Sequence, residues 1–221
     1  MLTLFCLCTV AQAFAGVASP GPLAVIDLDP QKLYGSYTEV ATVAQDFSAG
    51  CANTTFSFAA PVAEDLAQQS SGQVVAKLVL ACDRGWLHPR LRGVACAVDP
   101  AALGRLMVTL SVPFSAPIRE EFDVILAAPD YAWLVIGHPS RRMLWILSRG
   151  TELSLTTLDA LIDEIESRFG YTHLRQRLSC TAQPQRDPSW CSTVLQTPQK
   201  AQRGFSWAAA QPFWLPDPED R

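Results

Sequence analysis

The side chains able to do chemistry are scattered, and no group of them has the spacing of a reactive centre. His88 precedes a proline, His138 lies in a Gly-His-Pro turn and His173 stands alone near the end of the patterned region. No His-x-x-x-His or His-x-Glu pair is present, so the histidines offer no metal-binding or metallohydrolase spacing, and no metal ligand is assigned. Serine is plentiful, yet no Gly-x-Ser-x-Gly elbow presents one as a nucleophile, and no Gly-rich phosphate loop occurs. Glu120, Glu121 and Asp123 form an acidic group on an expected strand, where alternation turns at least one carboxylate inward. No C-x-x-C spacing exists, which argues against a zinc or thioredoxin-like site.

The elements that would position these groups begin after an expected export signal. Leu2 to Val10 is a short apolar core, and small residues follow at Ala11, Ala13, Ala15 and Ala18. Residues 1–18 therefore read as a signal peptide, although no Lys or Arg precedes the apolar core. Outside that segment stand Cys51, Cys82, Cys96, Cys180 and Cys191. In an exported protein, structural disulfides are their default use, and an odd number leaves at least one outside any internal pair.

The chain has 221 residues, 49% of them apolar and 17% charged, with a net charge of −4. That supplies a sizeable core for one domain with tails, and gives no electrostatic case for nucleic acid or an anionic membrane. After the N-terminus no apolar run approaches the roughly 20 residues of a spanning helix. Short apolar or alternating runs predict strands near 36–45, 51–59, 73–82, 91–98, 104–112, 119–127, 131–137 and 142–149. Eight strands with short connections suit an up-and-down barrel, although a sandwich shares that periodicity.

The period then changes. Leu155, Leu158, Leu161, Ile162, Ile165 and Phe169 fall at helical spacing between a Ser154 N-cap and a Gly170 stop. One apolar stripe predicts a helix packed on the outside of the barrel. Tyr171 to Leu178 reads as a last short strand. Residues 179–221 are rich in Pro, Gln and Ser and carry Trp190, Phe205, Trp207, Phe213 and Trp214, which predicts a disordered tail. A sharper reading docks its aromatics on the barrel mouth or a partner.

Three pieces in order carry a resemblance. Gly35-Ser36-Tyr37 opens the first strand, Asp130-Tyr131 enters the seventh, and Leu144-Trp145-Ile146-Leu147-Ser148-Arg149 ends the eighth in an arginine. Together they resemble the signature of the lipocalins, above all the branch of bacterial outer-membrane lipocalins and apolipoprotein D. The likeness covers about residues 27–178, placing a domain at 19–178 between the signal and the tail. It departs from the family in that Tyr37 stands for the usual tryptophan and Pro129 for a threonine.

The resemblance implies an all-β, eight-stranded antiparallel barrel with one C-terminal helix outside. It implies that Gly35, Tyr37, Asp130, Tyr131 and Arg149 close the barrel base, with the arginine across the aromatic ring. It further implies binding and transport of a fatty acid or lysophospholipid by a secreted or cell-envelope carrier, with no cofactor and no catalysis. Peripheral membrane contact is an additional expectation. Alternation nominates Phe56, Phe58, Phe122, Tyr131, Trp133 and Trp145 as lumen residues, with Phe56 and Phe58 on one face.

A hairpin of the second and third strands sets Cys51 opposite Cys82, and the same pairing suits the bacterial branch. Cys82 with Cys96 flanks another hairpin, and the apolipoprotein D-like members suggest Cys51 with Cys180. The alternative functions are a lipocalin-fold isomerase or de-epoxidase, for which Asp123 and Cys96 are the residues to inspect, and a surface protein acting through its aromatic tail.

Overall fold

The computed structural model describes residues 22–43, 51–62, 73–151, 153–182 and 188–196. A single helical turn, α1 (Pro30–Leu33), leads into the strands; the Asp29 carboxylate caps it, accepting from the Gln31 amide at 2.9 Å. The strands are β1 (Gly35–Val43), β2 (Ala52–Ala59), β3 (Gln73–Asp83), β4 (Arg90–Ala97), β5 (Arg105–Ser111), β6 (Ile118–Ala127), β7 (Trp133–Gly137) and β8 (Leu144–Ser148). Each pairs antiparallel with the next, and β1 pairs with both β2 and β8. The sheet is thereby closed into an eight-stranded barrel, as expected.

Alternation along the strands builds two apolar layers. In β5, Leu106, Val108 and Leu110 enter the inner layer, which also holds Tyr37, Phe56, Phe58, Leu78, Phe122, Leu134, Ile136, Trp145 and Leu147. The outer layer includes Val40, Ile125, Val135, Leu144 and Ile146 beneath the helix α2 (Leu155–Phe169). The Ser154 hydroxyl caps α2 by accepting from the Thr157 amide at 3.0 Å, and Gly170 ends it in the left-handed region at φ 71°. Leu158, Leu161, Ile162, Ile165 and Phe169 are buried against the barrel as expected, whereas Leu155 in the first turn is exposed.

The stretch after α2 differs from the sequence expectation. Tyr171 is buried, residues 174–177 make a helical turn, α3 (Leu174–Arg177), and only β9 (Leu178–Cys180) is extended. β9 pairs with Ala41–Val43 of β1, beyond the point where β1 and β2 part. The chain continues into that gap, with the Thr181 amide donating to Val40 O at 3.0 Å and the Asn53 amide to Ala182 O at 2.8 Å.

The expected disordered tail is corrected at its near end. A 3₁₀ turn (Pro188–Cys191) and α4 (Ser192–Leu195) pack on the outer layer through Cys191 and Val194. Cys180–Cys191 is a disulfide, and Arg175 joins α4 to α2 by donating to Val194 O at 2.9 Å and pairing with Asp159 at 2.8 Å. Composition concealed this because the staple is a covalent bond between two short elements. Residues 197–221, with Trp207 and Trp214, lie outside the described residues, as does the segment 1–18.

The other disulfide is Cys51–Cys82, with Cα atoms 5.5 Å apart, so the hairpin pairing holds and Cys82–Cys96 and Cys51–Cys180 do not form. Cys96 belongs to neither bridge and is buried. Replacing Cys180 and Cys191 together by serine is expected to lower stability by about 2 kcal/mol, since the bridge closes a short loop. Hydrogen exchange should then quicken across 188–195 while the barrel strands keep their protection. Unchanged protection in 188–195 would show that the bridge does not hold the segment.

Candidate ligand site

The closed end of the barrel is built around Arg149. Its Cζ lies 4.5 Å above the Tyr37 ring centroid, so a cation–π contact survives the exchange of tryptophan for tyrosine. The guanidinium also donates to three carbonyls: Tyr131 O at 2.9 Å, Tyr34 O at 3.0 Å and Lys32 O at 2.6 Å. Burial pushes the Tyr37 hydroxyl up to about 12 despite the nearby arginine, so it stays neutral.

Asp130 and Tyr131 make the turn that supports this latch. The Asp130 carboxylate accepts from the Ala132 amide at 3.0 Å, and Tyr131 takes a left-handed φ of 55°. The Tyr131 hydroxyl accepts from the Asp29 amide at 2.9 Å, tying the turn to α1. Gly35, Tyr37, Tyr131 and Arg149 therefore meet at the base, and Asp130 caps the turn that carries Tyr131.

Gly35 has φ +124°, and a Cβ on it would lie 2.4 Å from Arg149 Nη1. The backbone there is one that L side chains rarely adopt, and the arginine occupies the space. Gly35→Ala is expected to cost about 1–3 kcal/mol through strain and displacement of the guanidinium. Thermal unfolding checks the loss. An alanine variant as stable as the parent would show that the base tolerates a looser latch.

Above the base lies the lumen. Phe56, Phe58, Phe122, Tyr131 and Trp145 all belong to the inner layer. The Trp145 ring lies 4.9 Å from Phe122 and 6.2 Å from Phe56, centroid to centroid, and Tyr37 meets Phe58 edge-on at 6.0 Å. Tyr131 forms part of the floor.

Trp133 is the exception and corrects the expectation. It is paired with Ser148 and precedes the inward Leu134, so alternation sends it outward, half-buried against the layer under α2.

A cavity of about 10 Å³, the size of a single water site, lies among Val108, Leu110, Ile118, Glu120, Phe122, Met143 and Trp145. Its lining faces the end of the barrel where β5 meets β6 and β7 meets β8.

Two carboxylates face this interior. Glu120 shares the inward parity of Ile118 and Phe122 and lies 3.3 Å from His138 Nε2. Glu39, opposite the inward Leu147, is 2% exposed and accepts a hydrogen bond from the Thr181 hydroxyl. Burial pushes the Glu39 carboxyl up to about 7, against the lowering by Thr181. In the sequence Glu39 lies inside the motif-bearing first strand, and only its parity with Tyr37 marks it as inward.

Asp123 and Cys96, the residues singled out for a lumen enzyme, sit between inward neighbours and so face outward. Asp123 is fully buried; its carboxyl is raised by burial and lowered in part by Arg105 at 3.3 Å, whose guanidinium also donates to Leu23 O at 2.7 Å. Among the described residues no cluster of three His, Cys, Asp or Glu side chains could hold a metal.

A closed antiparallel barrel with an arginine-latched base and one helix outside defines the class of eight-stranded up-and-down barrels. Residues 28–183 match the family model of the lipocalin-like domain, and the chain belongs to that family. Temperature-induced lipocalin-1 of Arabidopsis thaliana is 32% identical over 91 residues, which are 39% of this chain and 49% of that protein. The chain thus spans about half the length of this relative. The solved structure of insecticyanin from the tobacco hornworm Manduca sexta shares the fold with a TM-score of 0.55 at 14% identity, covering 73% of this chain and 84% of that one.

Proposed function

We propose that the protein binds and carries a small apolar molecule in its lumen by reversible sequestration, without chemistry. The observation that carries this reading is the inner aromatic layer, continuous from Tyr37 at the base to Trp145 and Phe122 beside the cavity. Apolar burial supplies most of the affinity in such a site, and a few polar groups orient the ligand.

Of the two acyl ligands the resemblance suggests, a lysophospholipid with an ammonium headgroup fits better than a fatty acid. Glu39 and Glu120 both face the interior. Lys77, Arg90, Arg92, Arg105 and Arg119 on the barrel strands flank inward residues and therefore point out. A fatty-acid carboxylate would have to approach the Glu120 carboxylate, whereas an ammonium could share it with His138 beside the Trp145 and Phe122 rings.

Export is part of the same reading. It is supported by the two disulfides and by the signal-like residues 1–18, and no helix among the described residues is long and apolar enough to cross a membrane. The Cys51–Cys82 bridge favours placement beside the bacterial branch.

Native mass spectrometry of the exported protein with its co-purified lipids tests the proposal. A bound lysophospholipid is the expected adduct, displacing any fatty acid in competition. Failure to take up any fatty acid, lysolipid or pigment at micromolar concentration would overturn the carrier reading.

A further inference from the structure

The open end of the barrel presents large apolar side chains to solvent. In the loop from β3 to β4, Trp86 is 85% exposed and Leu87 46%; in the loop from β5 to β6, Phe114 is fully exposed. These two loops are neighbours on the rim, because β4 and β5 pair there through Arg92 and Ser111. Single exposed apolar residues are ordinary, but three on adjoining loops, two of them aromatic, form a patch.

The first loop is rigidly built to display its ring. Arg84 and Leu87 exchange backbone hydrogen bonds at 2.8 and 3.0 Å around Gly85, whose φ of +60° permits the tight turn. Below it the Cys51–Cys82 bridge fixes the strand end. Asp83 accepts from Asn53 at 2.6 Å and meets His88 Nδ1 at 2.6 Å. Phe114 holds a left-handed φ of 60°, an uncommon conformation for a bulky residue, while its ring points into solvent.

Charge is distributed unevenly along the barrel axis. Arg90 and Arg92 on β4 and Arg119 on β6, with β5 between them, are exposed on the outer face next to these loops. The nearby acids are largely engaged, Asp83 by Asn53 and His88 and Glu120 by His138; Glu121 remains beside Arg119. The closed end instead carries Asp27, Asp29, Asp99 and Asp130 beside Lys32 and Arg149, and the Arg149 guanidinium is engaged in the latch. The net charge of −4 therefore hides a basic rim.

We propose that the open rim docks on an anionic lipid bilayer, with Trp86, Leu87 and Phe114 entering the headgroup region and Arg90, Arg92 and Arg119 meeting lipid phosphates. Aromatic rings prefer that depth, and arginines beside them draw the rim to a negative surface. The lumen cavity opens towards the same end, so docking aims the mouth at the bilayer. The evidence for docking is independent of whether the lumen takes a lipid.

Flotation of the full-length protein with vesicles tests this, comparing equal parts phosphatidylcholine and phosphatidylserine with phosphatidylcholine alone. Binding is expected to the mixed vesicles only and to weaken with salt. Trp86→Ser with Phe114→Ser should cut partitioning at least about tenfold. Arg90→Gln with Arg92→Gln should cut it by about fivefold per arginine. All four side chains are exposed, so an unchanged unfolding midpoint shows that the fold is intact.

Absence of flotation, equal binding to both vesicle types, or full binding by the serine variant would each overturn the proposal. The last result would move attachment to the segment beyond residue 196. A dimer that depends on Trp86 and Phe114, seen by sedimentation without any flotation, would overturn it in favour of a second copy of the chain.

Discussion

Trp145→Ala is expected to be the most destabilising single truncation in the barrel, costing about 3–5 kcal/mol. The side chain is 1% exposed and packs against Phe122 and Phe56 inside the lumen. Its removal joins new space to the small cavity that Trp145 already lines. Because that lining is mostly apolar, the enlarged space should stay dry and accept a compact aromatic molecule.

Indole matches the group removed, so it should restore much of the lost thermal stability in the variant and have little effect on the parent. Binding to the native state alone raises apparent stability by mass action. Scanning calorimetry with and without indole reads both effects. A variant that loses little stability, or that indole fails to rescue, would show that Trp145 does not plug the lumen.

That experiment depends on a direction the sequence states only in part. Alternation gives relative parity: it makes Phe56 and Phe58 companions, and it places Glu120 with Phe122. Absolute direction needs an anchor. For β8 the anchor is Arg149, because its register with β7 is unbroken and Trp145, Leu147 and Arg149 share one side, with Arg149 closing over Tyr37. Trp133 lies one residue out of step with Leu134 on the paired strand, which is why an aromatic in the expected run faces the helix.

Elsewhere parity changes within a strand. Register shifts occur between Glu39 and Ala41, between Val74 and Ala76 and between Val124 and Leu126. Each moves the following residues to the other face, and a bulge has no strong single-residue signal. The base was legible because its motif is local to strand ends. The Cys180–Cys191 staple and the Glu39–Thr181 contact were not, since both arise where β9 fills the gap left by diverging strands. The rim patch was hidden for a related reason: net charge averages over ends that the fold holds apart.

The buried Glu39 has a thermodynamic consequence with a definite sign. Its carboxyl is shifted from an ordinary 4.5 to about 7 in the folded barrel, chiefly by desolvation. The folded state therefore holds a proton that the unfolded chain has released. Below pH 4.5 both states are protonated and Glu39 contributes no penalty. As pH rises from there to about 7, stability falls, and above that the loss is complete.

The size of that loss follows from the shift and is about 3 kcal/mol. Glu39→Gln keeps the oxygen that accepts from Thr181 and removes the ionisation. The variant should lack this fall and be more stable than the parent at neutral pH by up to about 3 kcal/mol. The raised carboxyl of Asp123 acts with the same sign and the lowered one of Asp83 with the opposite sign, but both are common to the two proteins. The difference between parent and variant in urea denaturation from acid to neutral pH therefore isolates Glu39. Parallel stability curves across that range would mean that Glu39 ionises at its ordinary value and that the lumen wall around it is wet.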